Sequence, residues 1–218
     1  MITVHHLDHS RSQRVLWLLE ELGVPYEIRK YSRDKATMLA PPELRAIHPL
    51  GKAPIVTDGR FTLAESGAIV DYLVERYGEG KFRPASGTVE RLLYNYWLHY
   101  AEGSAMPPLL LKLVFSRVEN GPVPFFVKPI VRGIAQKVTK AFIGPQLDLH
   151  FRYVEGELAK HEWFAGSEFT AADIQMSYPV ERAHAAGVEA AKGPKIAGYL
   201  ERIHARPAYR RALERGGP

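Results

Sequence analysis

The run Ile2-Thr-Val-His-His-Leu7-Asp-His-Ser10-Arg-Ser12-Gln-Arg14-Val-Leu-Trp-Leu-Leu-Glu20-Glu-Leu22 decides how the fold is read. Residues 2–7 form a short, largely apolar strand. From Ser12 onward Val15, Leu16, Leu18, Leu19 and Leu22 recur at helical spacing, with Glu20 and Glu21 facing outward and Gly23 as a stop signal. A strand that turns directly into a helix begins a βα unit, and the pattern continues. Residues 24–31 read as a second strand and residues 36–47 as a short helical or irregular stretch broken by Pro41 and Pro42. Residues 53–57 and 60–63 are two strands around the turn signal Asp58-Gly59, and residues 66–77 are an amphipathic helix. The order is βαβαββα.

Beyond Gly78 the pattern changes. Residues 79–88 are polar and rich in Gly and Pro, as a crossing between domains would be, so the spacing predicts one domain over 1–78 and another over 89–218. The second domain shows only the 3.6-residue period, in 92–100, 126–142, 146–158, 171–185 and 196–203. Gly-Pro pairs at 121, 144 and 193 punctuate it. One helix start is explicit: Thr170-Ala-Ala-Asp173 places a hydroxyl three residues ahead of a carboxylate that can reach back to its amide, a capping box.

The chain has 218 residues, 46% of them apolar and 24% charged, which suits folded domains and excludes disordered or fibrous classes. The longest run without Asp, Glu, Lys or Arg is ten residues, 92–101, half of what a bilayer-spanning helix needs at roughly 20. The first residues show no basic start or apolar stretch, so neither a signal nor a transit peptide is indicated, and a cytoplasmic location is expected. The chain contains no cysteine, which excludes disulfides, thiolate metal sites and a protein-borne thiol nucleophile. Any sulfur chemistry must use a bound thiol. The net charge of +5 divides into −1 for residues 1–80 and +6 for the rest. Those cations are scattered, so neither a nucleic-acid nor a membrane partner is expected. His5 and His6 alternate across a strand without a supporting ligand set, and no metal is expected.

Three segments offer polar groups at strand ends or helix starts. His9-Ser10-Arg11-Ser12 places hydroxyls where helix amides and the dipole attract negative charge, although Ser there is also the ordinary N-cap. Lys52-Ala53-Pro54 opens a strand with a proline; a cis Ala53-Pro54 bond would expose the backbone groups of Ala53 to an extended peptide, and a plain edge-strand proline is the alternative. Glu65-Ser66 puts a carboxylate and a hydroxyl beside a second helix start, suiting the ammonium and carboxylate of an amino acid, or simply capping the helix.

Taken together, Ser10 four residues before Arg14, Lys52-Ala53-Pro54, the Asp58-Gly59 hairpin, Glu65-Ser66 and the Thr170-x-x-Asp173 box resemble the soluble glutathione transferases over nearly the whole chain. The segment 10–22 is most similar to serine-type bacterial and fungal members. The resemblance implies a thioredoxin-like N-terminal domain followed by an all-helical C-terminal domain, glutathione as co-substrate and a homodimer. It implies that Ser10, or alternatively Ser12, hydrogen-bonds the glutathione sulfur. Ala53 ahead of Pro54 would pair with the cysteinyl backbone, Glu65 and Ser66 would hold the γ-glutamyl end, and Lys52, or else Arg45 or His48, would meet the glycyl carboxylate. The electrophile would lie between the domains near Tyr96, Tyr100, Met106, Leu110 and Phe115. The implied activity is transfer of glutathione to small hydrophobic electrophiles. Glutathione-dependent peroxide reduction at the same site, or a non-catalytic binding or regulatory module, are the alternatives.

Overall fold

The computed structural model describes residues 1–217. Its N-terminal half is a four-stranded sheet built from β1 (Ile2–Leu7), β2 (Tyr26–Tyr31), β3 (Ile55–Asp58) and β4 (Phe61–Ala64), in the order β2-β1-β3-β4. β1 and β2 run parallel, joined through α1 (Ser12–Leu22), while β3 is antiparallel to both β1 and β4. A short α2 (Glu43–Ile47) precedes β3, and α3 (Ser66–Tyr77) follows β4. The expected βαβαββα order is therefore present. The hairpin loop falls one residue later than the sequence suggested, at Gly59-Arg60, because Asp58 still pairs with Phe61; Gly59 takes the left-handed φ of 57° that the turn requires.

The remaining elements are helical: α4 (Val89–Tyr100), α5 (Met106–Asn120), α6 (Lys128–Val138), α7 (Gly144–Lys160), α8 (Ala171–Ala185), α9 (Pro194–Ala205) and α10 (Pro207–Gly216). Single π-helical turns at Ala101–Ala105 and Thr139–Ile143 join α4 to α5 and α6 to α7. Two helices escape the sequence reading, α5 and α10. The Met106-Pro107-Pro108 step reads as a break, yet prolines in a first turn forfeit no intrahelical hydrogen bond, and here they begin α5; Pro207 does the same for α10.

One hydrophobic core runs through both halves. Val15, Leu16, Trp17, Leu18 and Leu19 of α1 are buried on every side, between the sheet and α3 on one hand and α8 and α10 on the other. That enclosure corrects the outward placement expected for Glu20 and Glu21. Both lie under the C-terminal segment, where Arg206, just ahead of α10, pairs with Glu21 at 2.5 Å and Arg211 and Arg215 of α10 each reach Glu20 at 2.8 Å. Helical periodicity identifies an apolar face but cannot foresee that a distant basic helix will cover the polar one. α10 approaches closely enough that a Cβ on Gly216 would come within 2.5 Å of Leu16.

The capping box of α8 forms as expected. The Asp173 carboxylate accepts from the Thr170 amide and the Phe164 amide, each at 2.8 Å, and is fully buried. Asp173→Ala would leave two buried amides unpaired and is expected to lower the unfolding free energy by about 3 kcal/mol in urea titration. Burial raises the Asp173 carboxyl to about 6, against the opposing donors of Phe164 and Thr170. The folded chain thus binds more protons there than the unfolded chain between about pH 4 and 6, so this group's contribution to stability grows as pH falls through that window. Asp173→Asn should remove that slope from the pH profile of unfolding.

Candidate active site

The register of the sheet places three sequence motifs side by side. His5 of β1 lies opposite Ile55 of β3, and Ile55 opposite Ala64 of β4. The turn after β1 holding Ser10, the Ala53-Pro54 step before β3 and Glu65 after β4 therefore share one end of three adjacent strands. Strands lie about 4.8 Å apart, so the three positions span roughly 10 Å, the reach of an extended tripeptide.

At the first position the chain turns through His9, with a left-handed φ of 51°, into Ser10 and Arg11 before α1 begins at Ser12. The Ser10 hydroxyl accepts from the Ser12 amide at 3.2 Å, satisfying one amide of the helix's first turn. It also lies 2.6 Å from the Ser12 hydroxyl. Ser12 is fully buried and engaged on its far side, 2.9 Å from His6 Nδ1 and 3.4 Å from the Leu7 amide. Ser10 retains 7% of its surface, so of the two candidate hydroxyls it is the one nearer to solvent.

At the second position the Ala53-Pro54 peptide is cis and the ladder starts only at Ile55, leaving Ala53 outside it. Lys52 beside it is exposed. At the third, Glu65 has φ 71° and ψ 115°, a conformation costing a non-glycine residue about 1–3 kcal/mol, which concentrates at functional sites. Its side chain is exposed, whereas Ser66, the first residue of α3, is buried.

Ser66 is held by residues that the sequence reading did not assign to the site. Arg14, 2% exposed, donates through Nη2 to the Ser66 hydroxyl at 3.1 Å and to Glu102, and through Nη1 to the Gln175 carbonyl at 2.6 Å. The Gln175 side-chain amide reaches the same hydroxyl at 3.4 Å. With two donors directed at its oxygen, Ser66 has its own proton available for an external acceptor such as a carboxylate. Glu102 sits on the π-helical turn after α4 and also accepts from Arg11, at 2.9 and 3.1 Å. The Tyr178 ring lies 5.5, 5.3 and 4.9 Å from the guanidinium carbons of Arg11, Arg14 and Arg182. Arg14 was visible in the sequence only as a spacing from Ser10; Glu102 and Gln175 gave no local signal, since their roles depend on contacts across 88 and 109 residues.

The residues expected near an electrophile divide. Tyr96 and Tyr100 stack with centroids 5.5 Å apart and border an open, mainly apolar depression of about 510 Å³ with Leu92 and His99. Tyr100 is buried, and its hydroxyl meets His150 Nδ1 at 2.7 Å. Met106 is buried and Leu110 exposed, and neither lines that depression. Among the described residues no cluster of three metal-ligating side chains occurs, and no helix is long and apolar enough to cross a membrane.

Comparison with known proteins agrees with this geometry. Residues 1–75 match the family model for the glutathione S-transferase N-terminal domain and residues 142–202 that for the C-terminal domain. Glutathione S-transferase 3 of Schizosaccharomyces pombe is 38% identical over 99% of this chain and 88% of its own length. Glutathione S-transferase 1 of Saccharomyces cerevisiae is 35% identical over 99% and 95%. A crystal structure of a glutathione S-transferase from Actinobacillus pleuropneumoniae superposes with a TM-score of 0.78 at 36% identity, covering 99% of this chain and 93% of that one.

The Arg14–Glu102 pair is open to a double-mutant cycle. Glu102→Ala should lower the unfolding free energy by about 3 kcal/mol by leaving a buried guanidinium without its counter-charge. Adding Arg14→Met should restore part of the loss, so that the combined effect in denaturant titration is smaller than the sum of the single ones.

Proposed function

The chain belongs to the glutathione S-transferase family, and on that premise we propose that it binds glutathione across the shared strand end and uses Ser10 to keep the thiol ionised for attack on small hydrophobic electrophiles. What carries the reading is the alignment of Ser10, Ala53 and Glu65 by the β1-β3-β4 register. The α-carboxylate of the γ-glutamyl residue accepts from the hydroxyl and amide of Ser66, and its ammonium faces the Glu65 carboxylate. The cysteinyl backbone pairs with Ala53 ahead of Pro54, and Lys52 meets the glycyl carboxylate.

An ordinary thiol has a pKa near 8.5 and is only a few per cent ionised at pH 7. A hydrogen bond from Ser10 to the charged sulfur, together with the N-terminal end of the α1 dipole, favours the thiolate; a shift of one to two units makes it the dominant form. The thiolate then forms a carbon–sulfur bond. In substitution the leaving group departs with its bonding pair, and in conjugate addition the resulting carbanion takes a proton. Ser12 is too fully engaged with His6 to serve the sulfur directly. Tyr96 and Tyr100, which border the apolar depression, would form the electrophile side of the cleft, with Met106 and Leu110 of α5 outside that depression.

The division into a glutathione-binding domain (1–78), a linker (79–88) and a helical domain (89–218) belongs to the same reading. So does a homodimer in which the sheet edge of one subunit meets the helical half of the other. Its support is exposed apolar surface in both places: Phe61 on the edge strand β4, and Leu92 of α4 and Leu149 of α7, the last two more than 60% exposed. The cytoplasm, where thiols are kept reduced, is the compartment this chemistry suits.

Ser10→Ala should raise the pKa of the bound thiol by one to two units, read by ultraviolet titration of the complex, and reduce conjugation of 1-chloro-2,4-dinitrobenzene at pH 6.5 by about 10- to 100-fold. Glu65→Ala and Ser66→Ala should each weaken glutathione binding at least tenfold by calorimetry, and unchanged affinity in both would refute the γ-glutamyl assignment. Light scattering should give twice the chain mass, and Phe61→Glu should shift the population toward monomer.

A further inference from the structure

The Ser10 hydroxyl carries one proton, and the structure offers that proton two destinations. If the Ser12 proton points to His6 Nδ1, then Ser10 donates to Ser12 across the 2.6 Å contact and has none left for the sulfur. If His6 instead donates from Nδ1 to the Ser12 oxygen at 2.9 Å, Ser12 donates to Ser10. Ser10, already accepting from the Ser12 amide at 3.2 Å, then turns its own proton outward. The tautomer of His6 decides between the two.

We propose that His6 is a positioning residue which, protonated on Nδ1, directs the chain His6 to Ser12 to Ser10 so that the Ser10 proton is available to the glutathione sulfur. The inference rests on the reading of Ser10 as the partner of the sulfur. Two observations support it. His6 is 1% exposed and its Nε2 has no partner at good hydrogen-bond geometry among the described residues, the Gly216 backbone being the acceptor that comes near, so a proton placed there would be a buried and poorly accepted donor. Placed on Nδ1, the proton has Ser12. Second, burial lowers the pKa of His6, which keeps the ring neutral at pH 7 with a single ring proton to assign.

The groups facing the ring come from three elements. Asp8 follows β1 and favours the charged ring, Lys30 is the register partner on β2 and opposes it, and the backbone of Gly216 on α10 approaches the ring. A Cβ on Gly216 would stand 3.4 Å from His6 Cε1. That backbone is the competitor for the proton, because drawing it to Nε2 would reverse the chain. No proton leaves the chain in the proposed arrangement. His6 sets the direction of three hydrogen bonds, and the thiol proton goes to solvent when glutathione ionises.

The first test is nitrogen-15 NMR of the intact protein, labelled at histidine, in the presence of glutathione: the expected His6 spectrum has the proton on Nδ1, and a proton on Nε2 overturns the proposal. The second is the pKa of the bound thiol. His6→Ala, which removes the donor that orders the chain, is expected to raise it by about one unit with glutathione affinity changed less than about threefold, whereas Ser12→Ala, which removes the competing acceptor of the Ser10 proton, should leave it near the wild-type value. His6→Asn, whose amide can donate from near the Nδ1 position, should restore the wild-type value, and His6→Gln should not. A raised pKa in Ser10→Ala alone, with all His6 variants at the wild-type value, overturns the chain and spares the reading of Ser10. An unchanged pKa in Ser10→Ala overturns the reading itself and the inference with it.

Discussion

A guanidinium removed from water needs its charge neutralised and acceptors for its donors, and Arg14 finds a counter-charge and acceptors for Nη1 and Nη2, though none for Nε, only because four parts of the chain come together. It extends from α1 to Ser66 at the start of α3, to the Gln175 carbonyl of α8, and to Glu102 on the π-helical turn after α4. An ion pair of this kind is weak evidence for net stability, since desolvation offsets much of the attraction. It is stronger evidence for specificity of arrangement. If the helical half were displaced, Arg14 would lose its counter-charge. The orientation of the two halves and the setting of Ser66 are thus one constraint. The π turn fits into it as well, because it places Glu102 on the side of the helix that faces α1.

The beginning of α1 is a second place where, on the proposed function, one group serves folding and chemistry together. Arg11, not a serine, is the N-cap of α1 and makes no side-chain cap, but Ser10 just before it does accept from the Ser12 amide, as a capping hydroxyl would. Capping uses the hydroxyl's oxygen and leaves its proton free, whereas holding a thiolate uses the proton. The two readings therefore do not compete. What separates Ser10 from Ser12 is burial and partners, which depend on how the turn through His9 is made and on where His6 points.

This marks how much the sequence disclosed. The order of strands and helices along the chain, the hairpin, the capping box and the helical second half follow from period, turn chemistry and caps, all local signals. The adjacency of Ser10, Ala53 and Glu65 follows once the strands are paired, so the motifs were found from sequence but their proximity needed the register. Glu102, Gln175 and the role of Arg14 were beyond local reading, because each is defined by a partner far along the chain. The same reason hid the cover over Glu20 and Glu21: Arg206, Arg211 and Arg215 near the C-terminal end carry no sign of the helix they will meet. His6 was weighed only as a metal ligand, and its hydroxyl partner six residues on lies on another element.

A chain without cysteine places its nucleophile on a dissociable partner, and the groups left to tune that nucleophile are then of a particular kind. Serine hydroxyls and helix amides do not titrate in the physiological range, so the stabilisation they give a thiolate does not vary with their own ionisation. A basic side chain beside the sulfur would add attraction but also a second charge whose state and desolvation would have to be controlled. His6, the one ring in the serine chain, is kept neutral by burial, and in the arrangement proposed above it contributes direction rather than charge. The charged residues nearby are tied down elsewhere: Arg11 and Arg14 share Glu102, and Arg14 is committed to Ser66 at the opposite end of the bound peptide's span. In the proposed mode of binding the site thus separates charge recognition of the peptide's ends from dipolar stabilisation of its sulfur, at positions that the sheet register brings to one end of three adjacent strands.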